Sequence, residues 1–83
     1  PNQFNEIVKK FNEILKVKFI ITTKEYLDHG ELLCETNHEN EELRQKVKDF
    51  FKTNFKLSIN ISFVKEGSIL NDGLVIEDKR ELN

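Results

Sequence analysis

Leu57, Ile59, Ile61 and Phe63 alternate without a break against Lys56, Ser58, Asn60 and Ser62, and that period of two fits an extended strand with one face in the core and one in water. A half-buried strand needs a cover, and two amphipathic segments can supply it. Phe4, Ile7, Val8, Phe11, Ile14 and Leu15 fall at helical spacing between Asn5, Glu6, Lys9, Lys10, Asn12 and Glu13, which predicts a one-faced helix over residues 3 to 15. Leu43, Val47, Phe50 and Phe51 form the stripe of a second helix. Thr36-Asn37-His38-Glu39 reads as its capping box, with Glu39, Glu41 and Glu42 near the anion-favouring N-terminus and Asn54 as its stop.

The segment VKFIITT sets Val17, Phe19 and Ile21 against Lys18, Ile20 and Thr22 and predicts a strand whose outer face is not wholly polar. Asp28-His29-Gly30 reads as a turn, because Gly accepts positive φ, and ELLCET as the antiparallel return, with a loop and a short helical turn as the alternative for KEYLDHGELLCE. Asn71-Asp72-Gly73 is a second hairpin signal, between Ile69-Leu70 and Leu74-Val75-Ile76, with a last strand near residues 74 to 77. The order α-β-β-α-β-β predicts a small α+β two-layer sandwich, with both helices on one face of a mostly antiparallel sheet. Phe11, Phe19, Phe50, Ile59 and Ile61 are its expected core. Residues 1–83 are too few for a second core and read as one domain. A start at Pro1 without Met fits a fragment of a longer protein.

That element order resembles the type II KH-like family of small domains, and the resemblance implies nucleic-acid binding through the basic face of the second helix. The GxxG loop of that family has no counterpart, because Gly30, Gly67 and Gly73 lie far apart. The stretch GSILNDGLVIEDKREL is similar in outline to the C-terminal region of rotary-ATPase stator subunits and lacks their distinctive residues.

No catalytic or cofactor motif is present, so the expected catalytic, metal and cofactor sets are empty. Cys34 is the only cysteine, which excludes an internal disulfide and a cysteine cluster and suits a reducing, cytoplasmic setting. Glu31 and Glu35 beside it would suppress a thiolate. His29 and His38 fall at solvent positions without the His-x-x-x-His spacing of a helical metal site. Asn60-Ile61-Ser62 matches a glycosylation sequon inside a strand pattern, which reads as coincidence. No run approaches the ~20 apolar residues of a membrane span, so the membrane is not an expected partner.

The distribution of charge is more telling than its sum of −2. From Glu25 to Glu42 every charged side chain other than histidine is acidic, and Arg44, Lys46, Lys48, Lys52 and Lys56 follow. Arg44, Lys48 and Lys52 step by four and share one helical strip. That strip, against the acids Glu31, Glu35 and Glu39, is the expected partner-binding surface of a non-catalytic protein–protein interaction or assembly module, with another protein chain or a second copy as partner. Nucleic acid is the alternative partner, met by the same strip with Lys16, Lys18 and Lys56; stacking on bases would have only Tyr26 available, since the Phe residues fall on apolar stripes.

Overall fold

In the computed structural model residues 2–55, 59–71 and 75–80 are described, and the elements follow the expected order: α1 (Asn2–Lys10), β1 (Ile14–Lys24), β2 (Leu27–Thr36), α2 (Glu41–Phe55), β3 (Asn60–Val64) and β4 (Ile76–Asp78). Leu57, Asp72 to Leu74 and the tail from Glu81 lie outside the described residues, and with them part of the second hairpin signal and of the last strand.

The first helix stops earlier than its stripe implied. Phe11 closes it with an N–H bond to the Ile7 carbonyl (3.0 Å), and Ile14 bonds back to Phe11 (3.0 Å) over a turn at Asn12 and Glu13. Ile14, buried at 2% exposure, opens β1 instead. Leu15 is the extra residue of a bulge: pairing with β2 runs Ile14 to Thr36 and then Lys16 to Glu35. Ile14 satisfies a helical and a strand pattern equally, so periodicity alone could not place the boundary.

The β1–β2 turn also lies elsewhere. Lys24 and Leu27 are the last pair, and the two residues between them, Glu25 and Tyr26, have φ of 54° and 68°, as a two-residue type I′ turn requires. Gly30 sits inside β2 opposite Ile21. Its missing side chain is explained by packing: a Cβ there would stand 2.7 Å from Cζ of Phe19 and 3.2 Å from Ile59.

The strand order is β3-β2-β1-β4. The sheet is mixed where the sequence suggested mostly antiparallel pairing: β1 and β2 form a long antiparallel hairpin, whereas β3 joins β2 and β4 joins β1 in parallel. The reason is connectivity. The helix α2 carries the chain from β2 over the sheet to β3, and a crossover of that kind returns the next strand in the same direction.

Both helices cover the face bearing Val17, Phe19, Leu32, Cys34 and Ile61. The rings of Phe4 on α1, Phe19 on β1 and Phe51 on α2 meet with centroids 5.4, 5.5 and 5.9 Å apart. Of the expected core, Phe11, Phe19, Ile59 and Ile61 are buried, while Phe50 is half-buried at its margin. The helix α2 is capped by Asn40 rather than Thr36: Asn40 Oδ1 accepts the Leu43 N–H at 2.7 Å. Thr36, paired in the sheet, donates its hydroxyl to the Glu13 carbonyl at 2.6 Å and accepts the His38 N–H at 3.0 Å. At the other end Asn54 Nδ2 donates to the Phe50 carbonyl at 2.8 Å.

Candidate docking surface

The two charge groups marked out in the sequence face outward only in part: Glu39, Lys48 and Lys52 are exposed, whereas Arg44 and Glu31 are half-buried and Glu35 is buried. Arg44 turns inward from α2: its guanidinium lies 4.9 Å from the Phe63 ring centroid, donates to the Ile61 carbonyl of the edge strand β3, and pairs with Glu41 at 3.1 Å and Glu39 at 3.7 Å. Arg44 and Glu39, expected on opposite sides of an interface, are therefore joined within one molecule. The cause is the short link from β2 to α2, which holds Glu39 one turn from Arg44.

Glu31 and Glu35 project from the sheet face opposite the helices, and both are engaged there. Glu31 accepts the Ser62 hydroxyl across the β2–β3 pair at 2.7 Å. Glu35 is only 4% exposed, because the loop 65–71 crosses this face. Its two carboxylate oxygens accept the Gly67 N–H at 3.1 Å and the Ile69 N–H at 2.8 Å. Lys16, opposite Glu35, donates to the carbonyls of Ile69 and Leu70 at 3.3 and 3.0 Å and to Asn71 Oδ1 at 3.3 Å. The loop buries Ile69, and its turn holds Gly67 at φ 88°, a value that glycine accepts most readily.

What remains of the basic strip is Lys48 and Lys52. Both are exposed, and neither takes part in an ion pair among the described residues. They line a cleft of 490 Å³ between α2 and the sheet, together with Gln45, His29, Asp28 and Asp49. The acids in this cleft are occupied: Asp49 accepts Gln45 Nε2 at 2.9 Å, and Asp28 accepts the Thr23 hydroxyl at 3.1 Å and Arg80 Nη1 at 3.1 Å. Arg80 also grips Asp78, whose carboxyl these bonds pull down to about 2. The cleft thus presents two uncommitted ammonium groups beside two committed carboxylates.

The sheet lysines invoked for nucleic acid are engaged inside the molecule, Lys16 on the loop and Lys18 with Glu77 at 3.4 Å; Lys56 lies outside the described residues. Cys34 is fully buried, and burial pushes its thiol up to about 12 against a smaller opposing pull from Arg44. Among the described residues no group of three or more His, Cys, Asp or Glu side chains is placed to hold a metal ion. No described helix is long and apolar enough to cross a membrane. The loop clasp of Lys16 and Glu35 was not foreseen, and no local signal announces it, because its partners lie more than 30 residues away in sequence.

No protein-family model matches the chain, and no curated protein matches it. Among solved structures it is similar to a domain of phenylacetate-coenzyme A ligase from Bacteroides vulgatus, with a TM-score of 0.88 and 16% sequence identity, covering 100% of this chain and 86% of that one. At this identity the likeness shows the fold, a small α+β domain with a four-stranded mixed sheet.

Proposed function

We propose that this chain is a non-catalytic docking module that works as part of a larger protein or complex, meeting another protein chain through the Lys48 and Lys52 side of α2. The observation that carries the reading is that these two lysines are solvent-facing over a cleft and in no ion pair among the described residues, while Arg44, Lys16, Lys18, Glu31 and Glu35 are bonded internally. A pair of uncommitted cations on a rigid helix suits steering and orienting a partner more than chemistry. The structural neighbour supports the reading in one respect: it is described as a domain of a larger ligase, so this fold occurs as one part of an enzyme. A buried Cys34 thiol held protonated is in keeping with a packing role and with a reducing, cytoplasmic setting.

The test is retention from a lysate of the source cells by the immobilised chain, with and without nuclease. A protein retained equally in both, and lost from the Lys48→Glu/Lys52→Glu variant, supports the module. Retention abolished by nuclease favours the nucleic-acid alternative and overturns it.

A further inference from the structure

The β1–β2 turn is built from residues that its backbone disfavours. Positive φ at both turn positions favours Asn-Gly, because a side chain in that region crowds the backbone, yet here Glu25 and Tyr26 occupy it. Tyr26 is 98% exposed, so no packing against the described residues offsets the strain. A strained, outward-pointing aromatic ring is a candidate contact residue.

The same hairpin carries a trough that fits such a ring. Phe19, Ile21, Gly30 and Ile59 give a hollow of 250 Å³ a largely apolar floor, with Asp28, His29 and Arg80 also lining it. It adjoins the cleft of Lys48 and Lys52, with which it shares Asp28, His29, Gly30 and Ile59. From Tyr26 to Gly30 is four residues, about 13 Å at a strand's rise.

We propose that two copies of the chain pair through their hairpins, Tyr26 of each seated in the trough of the other, with Arg80 over the ring and Glu25 facing Lys48 and Lys52. Tip and trough on one hairpin are what a two-fold interface needs, since each copy gives and receives the same contact. Arg80, its guanidinium edge held by Asp78 and Asp28, can still lay its planar face on the ring. Glu25 supplies the ion-pair partner that Lys48 and Lys52 do not have among the described residues, Asp28 and Asp49 being held by Arg80 and Gln45. The proposal rests on the docking reading in its use of Lys48 and Lys52 and names the partner as a second copy.

Sedimentation equilibrium of the purified 83-residue chain at low salt, from about 1 μM to about 1 mM, tests it. The expected result is a monomer–dimer equilibrium that Tyr26→Gly weakens about tenfold or more. The same variant should melt several degrees higher, about 4 °C or more, as the turn relaxes, so lost pairing cannot be put down to a damaged fold. Glu25→Lys and Lys48→Glu/Lys52→Glu should each weaken pairing, and their combination should restore it. A chain monomeric throughout, a dimer indifferent to Tyr26→Gly, or no restoration on combining the charge reversals overturns the proposal. If the chain stays monomeric while Lys48→Glu/Lys52→Glu still abolishes capture of a different protein, self-pairing fails and the docking reading stands.

Discussion

Lys16 and Glu35 stand opposite one another on β1 and β2, and both side chains hold the same loop, Glu35 by its N–H groups and Lys16 by its carbonyls. This pair turns a sheet face that would otherwise be open into one partly roofed by residues 65–71. It also explains why a carboxylate can be almost fully buried, since charge-assisted bonds to backbone N–H groups replace its lost hydration.

Replacing Glu35 with Ala should destabilise the domain by about 2 to 3 kcal/mol, because the buried Ile69 N–H loses its acceptor. Amide hydrogen exchange checks the cause: protection at Ile69 should fall before that of Leu32 in the central strand. Equal loss at both sites would mean that the loop is not a separately held unit.

Phe51 and Phe50 are neighbours with unequal roles. Phe51 is 1% exposed and touches the rings of both Phe4 and Phe19, whereas Phe50 packs edge-on against Phe11 at 5.9 Å with the Lys10 ammonium 5.6 Å from its ring centroid. Phe51→Ala should cost roughly 3 to 5 kcal/mol, and Phe50→Ala about half as much. Urea melts of the two variants measure the difference directly.

The cap of α2 is open to the same kind of test. Asn40→Ala should cost about 1 kcal/mol by freeing the Leu43 N–H. Glu39→Ala should change stability by less than about 0.5 kcal/mol, since its ion pair with Arg44 is long and solvent-exposed on the Glu39 side. The reverse ranking in urea denaturation would restore the capping box read from Thr36 and Glu39.

Cys34 gives a pH dependence with a definite sign. Its thiol rises from the ordinary 9.0 to about 12 in the folded chain because burial disfavours the thiolate. Below the unfolded value both states are protonated, and the contribution to stability is fully present. Above it only the unfolded chain ionises, so that contribution is lost as pH rises from 9.0 toward about 12. Cys34→Ala should flatten this limb of the stability curve, and alkylation of the native thiol should be slow at neutral pH.

Much of this architecture is written in local patterns. The strict alternation around Ile59 and Ile61 and the stripe of Leu43, Val47 and Phe51 identify β3 and α2, since burial of one face is a local property of period. What the pattern hides is set at long range or by exception. Gly30 attracts a turn reading, but its small size serves the Phe19 ring, while the real turn at Glu25 and Tyr26 contradicts the usual residue preference. The parallel arrival of β3 and β4 depends on crossovers, which no short window reports. The acids and cations of the candidate surface are visible one by one, yet their engagement, Arg44 with Glu39 at the start of α2 and Glu35 with the loop across the sheet, depends on the folded geometry.

Under the proposed function, Lys48 and Lys52 steer this domain onto a protein partner. Association kinetics of the captured partner, measured from about 0.1 M to about 1 M salt as the screening length falls from about 10 Å to about 3 Å, test it most directly. The association rate should drop steeply with salt and be already low at 0.1 M in the Lys48→Glu/Lys52→Glu variant, whose circular dichroism and melting remain those of the parent. A rate indifferent to salt and to the double reversal would contradict it and place the contact on an apolar surface instead.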